Sequence, residues 1–262
     1  MNAAAKTSHL LTMKPLVLDL FCGLGGWSEA FIAEGYRAIG FDVERHDYGE
    51  GGYPGELVLR DVRSITGAEL VKQYGVPNVI VASPPCQEFS YMAMPWKRAK
   101  EKMRKILTSP EEQTQLTDLF SQSFRIQREV SEAAGHYVPM IVENVRGAQR
   151  WVGKARWNFG SFYLWGDVPA LMPIPAKAIL KYGMICAAEL KEKNGSSRVS
   201  LRDGLPEGVK GFTPNGEPLG KNTNRRMLSC GPNARKKASA EIAKIPPSLA
   251  AWIAKTFKST HE

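Results

Sequence analysis

The sequence has few cysteines, and none of them lie close together. Its four cysteines, at positions 22, 86, 186 and 230, are far apart in a chain of 262 residues and form no Cys-x-x-Cys motif. This scatter argues against a disulfide framework and against a structural zinc site, so we expect no bound metal. Thiols left unpaired in this way are typical of a reducing compartment, and we expect a cytoplasmic protein.

Long apolar runs are also missing. No stretch reaches the roughly 18 apolar residues that a membrane span needs. Residues 1–14 lack the apolar centre and the cleavage site of a signal peptide. We therefore expect no membrane partner and interpret residues 1–15 as a flexible leader. The overall composition, 43% hydrophobic and 23% charged, is ordinary for a globular protein.

Positive charge is in excess over negative charge. The net charge of +9 and the isoelectric point near 9.4 favour a polyanionic partner such as nucleic acid. A group of basic residues follows Cys86 closely and has Trp96 beside it. We interpret this segment as a basic loop that grips phosphates, with a charged helix face as the alternative. The group consists of Lys97, Arg98, Lys100, Lys102, Arg104 and Lys105.

The first two-thirds of the chain alternates apolar runs with amphipathic stretches. This pattern predicts an α/β fold with a parallel sheet and crossover helices. Strands are predicted at 16–21, 37–41, 78–82, 138–142 and 161–165, and helices at 27–34, 64–74, 110–134 and 248–257. We expect a main domain over 16–170, a small loop-rich module over 171–229, and a final segment, 230–262, that packs back on the main domain.

A glycine-rich turn follows the first predicted strand. Gly23-Leu24-Gly25-Gly26 stands between a strand and a helix, where glycines let the backbone turn tightly and the helix amino terminus offers N–H groups to a ligand. Asp42, at the end of the second strand, can accept hydrogen bonds from ribose hydroxyls. Asp61 can receive an adenine amino group or cap a helix, and Phe21 can stack on adenine or belong to the core. These residues alone also fit a dinucleotide-binding domain.

Cys86 follows two prolines at the end of a predicted strand. Pro84 and Pro85 restrict the backbone before it, which suits a rigid segment that aims one thiol; a buried structural cysteine is the alternative. One reaction that needs such a thiol is methylation of cytosine at C5, because C5 is too weak a nucleophile to take a methyl group directly. A thiolate that adds to C6 makes an enamine whose C5 can attack a sulfonium methyl. A buried carboxylic acid that donates to ring N3 assists the addition, and Glu143 suits that role.

Three motifs together resemble the cytosine-5 DNA methyltransferase family. They are Asp19-Leu20-Phe21-Cys22-Gly23-Leu24-Gly25-Gly26, Ser83-Pro84-Pro85-Cys86-Gln87-Glu88-Phe89-Ser90 and Glu143-Asn144-Val145, in that order. The resemblance is firm over 16–90 and 137–147. It implies a Rossmann-like sheet with helices on both faces, a small target-recognition module, and S-adenosylmethionine as cofactor. It also implies methyl transfer to C5 of a flipped cytosine in double-stranded DNA, through a covalent Cys86–C6 adduct.

The resemblance implies a role for each residue that matches a motif. Cys86 would be the nucleophile, and Glu143 would bind and activate the base. The cofactor would contact Phe21, Gly23, Gly25, Gly26, Asp42, Asp61, Pro84 and Leu119. Gln87, Ser90 and Asn144 would contact the substrate, the first two from a loop that closes over DNA.

Two elements of the family are reduced in this sequence. The Gln-x-Arg-x-Arg element is not evident, and Arg156 is our choice for what remains of it as a catalytic residue. Residues 243–250 keep only the Pro-Pro-x-Leu-Ala part of the carboxy-terminal motif. The short recognition module resembles that of phage or prophage members. We expect a monomer, and a cognate restriction endonuclease as a partner stays open.

Several other functions are compatible with parts of the pattern. A cytosine-5 methyltransferase that acts on RNA, such as tRNA, has the same catalytic residues. A catalytically silent nucleic-acid-binding relative is a second alternative, although the presence of both Cys86 and Glu143 argues against it. An exocyclic-amine methyltransferase is disfavoured because those enzymes resemble Ser/Asp-Pro-Pro-Tyr where this chain has Cys86. A dehydrogenase leaves Pro-Pro-Cys-Gln unexplained.

Overall fold

The computed structural model describes residues 14–46, 52–87, 89, 96–172, 240 and 243–258. Seven strands form one sheet within these ranges. They are β1 (Leu16–Leu20), β2 (Arg37–Asp42), β3 (Glu56–Leu59), β4 (Val79–Ala82), β5 (Met140–Asn144), β6 (Trp157–Phe159) and β7 (Phe162–Gly166). The helices are α1 (Gly26–Ala33), α2 (Gly67–Tyr74), α3 (Trp96–Thr108), α4 (Pro110–Ala134), α5 (Gln149–Val152) and α6 (Pro247–Thr256).

The strands lie in the order β3-β2-β1-β4-β5-β7-β6. The first five are parallel, and β7 and β6 are added antiparallel to them. The strand order reverses between β1 and β4, so the carboxyl ends of these two strands flank the crevice where open α/β sheets bind ligands. The motifs at the ends of β1, β4 and β5 therefore meet at one edge, which we call the carboxyl edge.

Apolar side chains cover both faces of the sheet, as the alternation of strand residues requires. Leu18 and Leu20 of β1 point to the face that holds α2 and α4, with Ile126 of α4 in the same cluster. Val17 points to the other face, where Phe31 of α1 is also buried. The predicted fold, a Rossmann-like α/β sheet with helices on both faces, is confirmed.

Helix α4 follows its sequence signals closely. The Ser109 hydroxyl accepts a hydrogen bond from the Glu112 N–H at 3.2 Å, and Pro110 occupies the first turn. The helix ends at Gly135, whose φ of +72° is a conformation that glycine adopts without steric cost. The bounds predicted from these residues, 110–134, are confirmed to the residue.

Other elements differ from the prediction. The helix predicted over 64–74 begins only at Gly67, because the Thr66 hydroxyl caps it by accepting from the Glu69 N–H. The strand predicted over 138–142 extends through Asn144, so Glu143 lies inside β5. The basic segment after Cys86, predicted as a loop, is helix α3. Its sequence contains no Gly or Pro and is rich in Lys and Arg, which favour a helix.

Helix α6 packs on α1 and on the adjoining part of the sheet. Leu249, Ala250 and Ile253 are buried in the cluster that contains Val17 and Phe31. Lys244, just before the helix, donates to Glu29 of α1 at 2.6 Å. The Trp252 indole N–H donates to the carbonyl oxygen of Leu171 at 2.9 Å. The described part of the carboxy-terminal segment is thus in contact with the main domain.

Several predictions concern residues outside the described ranges. These are the leader up to residue 13, Ser90, and the small module over 171–229 apart from Leu171 and Met172. The predicted domain boundaries consequently stay predictions. In the described part of the chain, no helix is both long enough and apolar enough to cross a bilayer.

Replacing Ile253 by Ala tests the packing of α6. The side chain is fully buried, so we expect the free energy of unfolding to fall by about 2–5 kcal/mol in urea denaturation. Thr256→Ala, at an exposed position of the same helix, should change it by less than about 0.5 kcal/mol. Equal effects of the two substitutions would contradict the packing.

Candidate active site

The turn after β1 has an unusual backbone conformation. Phe21 has a φ of +57° and is the only non-glycine residue with positive φ in the described ranges; Gly23 and Gly25 have φ of +52° and +75°. A non-glycine residue in this region costs on the order of 1–3 kcal/mol and persists only where its surroundings hold it. The Gly25 N–H donates to the carbonyl oxygen of Cys22 at 2.8 Å, which closes the turn directly before α1.

The three glycines of this turn meet different surroundings. A Cβ on Gly23 would have no heavy atom within 4 Å. A Cβ on Gly25 would lie 2.5 Å from Pro54 Cδ, and one on Gly26 would lie 2.7 Å from the Ile245 backbone nitrogen. Only Gly23 therefore presents its backbone to open space. At Gly25 and Gly26 other segments of the protein pack so closely that they leave no room for a side chain.

Asp42 stabilises the turn from the neighbouring strand end. Its Oδ2 accepts the Gly23 N–H at 3.0 Å, and its Oδ1 accepts the Glu44 N–H at 3.2 Å. Burial would raise the pKa of this carboxyl, but the contacts with His46 and the two backbone N–H groups outweigh it and lower the pKa below its usual value. The ionised group has about four lone-pair sites. It therefore retains acceptor capacity for a ribose.

Asp61 and Leu119 lie in one region of the fold. Asp61 caps a short 3₁₀ turn, Val62–Ser64, by accepting the Arg63 N–H at 2.9 Å. The Arg63 side chain lies 3.4 Å from Asp61 and donates to Asp118 at 2.6 Å, and Leu119 follows in α4 as a half-buried residue. The helix-cap alternative for Asp61 is confirmed, while its contact with adenine stays a prediction.

These groups fit an adenosyl cofactor. Gly23 offers an accessible backbone in front of the strained turn, Asp42 offers acceptors for hydroxyls, and Phe21 and Leu119 offer partly buried apolar surface. Such a mixture of apolar lining and a few convergent polar groups is typical of cofactor sites.

The segment that carries Cys86 is attached to three parts of the fold. The Ser83 hydroxyl accepts from the Trp27 indole N–H of α1 at 3.1 Å. The carbonyl oxygen of Pro84 accepts from the Asn144 side-chain amide at 3.0 Å. The Phe89 N–H donates to the Cys86 carbonyl oxygen at 3.1 Å, and the Phe89 ring is buried in the core. The half-buried Cys86 thiol is thus held on a turn with fixed ends.

Glu143 lies one strand away from this segment. The pairing of Ala82 in β4 with Val142 in β5 brings Ser83 and Glu143 to the same level of the sheet. Glu143 is 5% exposed, between β4 and Leu164 of β7. The structure therefore brings Cys86 and Glu143 to the carboxyl edge on neighbouring strands, as predicted from their motifs.

The side chain of Asn144 contacts other parts of the protein and is not exposed at the surface. It is fully buried, its amide donates to Pro84, and its Oδ1 accepts the Val145 N–H at 2.8 Å. The predicted substrate contact remains untested, and the observed contacts are with the cysteine segment. Gln87 is exposed in the turn after Cys86, where a substrate can reach it.

Arg156 lies two strands away from Glu143 in the sheet. It lies before β6, with an exposed side chain, and its N–H donates to the carbonyl oxygen of Leu164. Leu164 is the residue of β7 that pairs with Glu143. The catalytic role of Arg156 stays a prediction.

Gly147 is a site residue that the motif analysis missed. A Cβ at this position would collide with the carbonyl oxygen of Phe89. The backbone after Glu143-Asn144 therefore lies directly against the turn that holds Cys86. The signal in the sequence was the glycine four residues after Glu143, which gains meaning only once the two segments are known to touch.

Residues 16–150 match the family model of the C-5 cytosine-specific DNA methylases. No curated protein matches the chain.

Similar solved structures cover part of the chain. The methyltransferase EhMeth of Entamoeba histolytica is 16% identical over 54% of this chain and 41% of that one, with a TM-score of 0.35. A DNMT2 variant of Spodoptera frugiperda is 20% identical over 52% and 37%, with a TM-score of 0.32. Dnmt2 of S. pombe is 13% identical over 72% and 59%, with a TM-score of 0.37. The chain spans less than half the length of the first two, so what they act on is not carried over to it.

Gly147→Ala tests the contact between the two motif segments. The added methyl group must displace the Phe89 backbone and with it the turn that holds Cys86. We expect kcat for methyl transfer to fall about 10- to 100-fold, with the KM for the methyl donor changed less than about twofold.

Gly135→Ala is the matched control for this substitution. Gly135 has positive φ and open space around its Cβ position, and it lies between α4 and the amino end of β5, whereas Cys86 follows the carboxyl end of β4. The change should therefore cost about 1–2 kcal/mol of stability and leave kcat unchanged. A normal kcat in Gly147→Ala, or an equal loss in both variants, would refute the positioning role.

Proposed function

Because the chain belongs to the C-5 cytosine-specific DNA methylase family, and is therefore S-adenosylmethionine-dependent, we propose that it methylates C5 of cytosine in double-stranded DNA with Cys86 as the nucleophile. The observation that carries the proposal is the attachment of the Cys86 segment to the strand of Glu143, through the hydrogen bond from Asn144 to Pro84. This bond fixes a nucleophile and an acid on neighbouring strand ends.

S-adenosylmethionine supplies an electrophilic methyl group when it is bound. The turn from Phe21 to Gly23 and the carboxylates of Asp42 and Asp61 would hold its adenosyl part. Leu119 would add apolar surface beside the adenine. Pro84 connects this site to the nucleophile, since it directly precedes the Pro85-Cys86 pair and is buried against Asn144.

The Cys86 thiolate would add to C6 of the target cytosine. A bond forms between Sγ and C6, the electron pair of the C5–C6 double bond shifts to make a C4–C5 double bond, and the pair of the C4–N3 double bond moves to N3, which takes a proton. The resulting enamine makes C5 nucleophilic enough to attack the methyl group, whose bond to the sulfonium sulfur breaks. Loss of the C5 proton to solvent, expulsion of the thiolate from C6 and return of the N3 proton to its donor then restore the aromatic ring. The base must leave the helical stack for Cys86 to reach it.

Glu143 would supply the proton for N3. Its side chain is buried at the end of β5, and burial favours the neutral form of a carboxyl group. A neutral carboxyl can donate to N3 while its carbonyl oxygen accepts from the exocyclic amine, which only cytosine among the pyrimidines presents. Glu143 would thus select the base and activate it.

Charge supports nucleic acid as the substrate. The net charge is +9, and α3, which follows the nucleophile, exposes Arg104 and Lys105. Lys105 is paired with Glu112, so Arg104 is the better candidate for a phosphate contact. Phosphate contacts of this kind do not distinguish DNA from RNA. We choose duplex DNA because the matched family is that of the C-5 cytosine-specific DNA methylases.

We also propose that the protein is a monomer and acts in the cytoplasm.

A covalent adduct with DNA that contains 5-fluorocytosine tests the nucleophile. Fluorine at C5 blocks the final elimination, so the adduct should survive denaturation and appear as a slower band in gel electrophoresis. We expect it with wild type and with Cys186→Ser, only when S-adenosylmethionine is present. Cys86→Ala should give no adduct and no methylation but still bind the cofactor. Methylation without trapping in wild type, or any turnover by Cys86→Ala, would disprove the mechanism.

Transfer of tritiated methyl groups to duplex DNA and to tRNA tests the substrate class. With matched cytosine concentrations, we expect label in DNA and background in tRNA. Label confined to tRNA would overturn the choice of DNA and favour the RNA alternative. Label in neither, with the cofactor bound, would favour a catalytically silent nucleic-acid-binding protein.

A further inference from the structure

The described residues of the connection between β2 and β3 cover the sheet in an unusual way. Neighbouring parallel strands are normally joined by a helix that covers the sheet. The described residues of this connection, 43–46 and 52–55, contain no helix. The Tyr53 ring covers β2 instead: a Cβ on Gly40 would collide with the ring, and one on Gly55 would lie 3.1 Å from it. Tyr53 therefore fills space between β2 and α1.

Tyr53 also joins a chain of hydrogen bonds that leads into the buried core. Its hydroxyl lies 2.5 Å from the Ser28 hydroxyl of α1, and the Ser28 hydroxyl donates to Asp19 Oδ2 of β1 at 2.6 Å. The Tyr53 and Ser28 hydroxyls share one hydrogen bond, in which either can be the donor. The chain runs from the crossover through the helix to the first strand.

Asp19 depends on this chain. It is completely buried, and its Oδ1 has no hydrogen-bond partner among the described residues. Burial raises the pKa of Asp19 to about 8, the hydrogen bond from Ser28 opposes the rise, and the nearby charge of Asp42 adds to it. Asp19 lies two residues before Phe21, so support for its side chain is support for the start of the strained turn.

The same segment contacts the turn directly. A Cβ on Gly25 would lie 2.5 Å from Pro54 Cδ and 3.0 Å from Tyr53 Cδ2. Tyr53 and Pro54 therefore pack against the backbone of the second glycine. The turn between Asp19 and Ser28 is held at both ends by hydrogen bonds that lead to Tyr53, and in its middle by the ring and the proline.

We propose that Tyr53 is a positioning residue for S-adenosylmethionine. It holds the turn in the conformation in which Gly23 faces the cofactor and donates its N–H to Asp42. The proposal rests on the cofactor of the family and is independent of the nucleic acid methylated. Tyr53 touches the turn but is not a catalytic residue.

Calorimetric titration of the full chain with S-adenosylmethionine, and separately with S-adenosylhomocysteine, tests the proposal. Tyr53→Phe keeps the ring and removes only the hydroxyl. We expect the Kd for both ligands to rise about 3- to 10-fold, as loss of one buried hydrogen bond predicts. Ser28→Ala should raise the Kd similarly, and the double variant should bind no worse than Ser28→Ala, because both changes break one chain.

Tyr36→Phe is the matched control. Tyr36 is buried on the same face of the sheet, and its hydroxyl donates to the Ala254 carbonyl oxygen at 3.2 Å, away from the turn. We expect a lower thermal unfolding midpoint in both tyrosine variants but a raised Kd only in Tyr53→Phe.

A wild-type Kd in Tyr53→Phe would overturn the proposal and leave Tyr53 as a core residue. An equal rise in Kd in both tyrosine variants would also overturn it, because general loosening would explain the result. Calorimetry needs no DNA and no turnover. An error in the proposed substrate or in the chemistry of Cys86 would therefore leave these outcomes unchanged.

Discussion

The hydrogen bond from the Asn144 amide to the carbonyl oxygen of Pro84 is 3.0 Å long and completely buried. Neither group can reach water, so breaking the bond would leave a buried donor and a buried acceptor unsatisfied. It joins the strand that contains Glu143 to the segment that carries Cys86. The parallel pairing of β4 and β5 brings the two strand ends to one level, and Gly147 lets the turn after Cys86 approach closely. The positions of the acid and the thiol therefore follow from the sheet itself.

The cofactor side depends on a comparable constraint. A strained turn at Phe21 and Gly23 has to be held by its surroundings. Asp42 holds it from the next strand, Tyr53 and Pro54 pack on Gly25, and the segment before α6 packs against Gly26 through Ile245. Only one of the three glycines faces open space. The glycine pattern thus reflects protein packing at two positions and ligand access at one.

Local signals in the sequence were sufficient for part of this structure. Ser109, Pro110 and Gly135 determine the ends of α4, since caps act within a few residues of the helix terminus. The order of the Cys86 and Glu143 motifs placed both residues at the carboxyl edge, because parallel strands end together. The fold class followed from the alternation of strands and helices.

Contacts between segments that lie far apart in the sequence leave no local pattern from which they can be predicted. Tyr53 has no motif, and its partners Ser28 and Asp19 are recognisable only in three dimensions. The position of Arg156 depends on the antiparallel addition of β6 and β7, and β6 has three residues, too few for a periodic pattern. The segment of α3 was predicted as a loop with a charged helix face as the alternative, and the absence of Gly and Pro favours the helix that the structure shows.

The central claim is that Cys86, positioned by the strand of Glu143, methylates cytosine in DNA. Bisulfite sequencing of a plasmid from cells that express the protein tests it most directly, since protected cytosines report both the activity and the target sequence. We predict protected cytosines within one recurring sequence for wild type and none for Cys86→Ala. Protection that persists in Cys86→Ala, or its absence in wild type, would contradict the account.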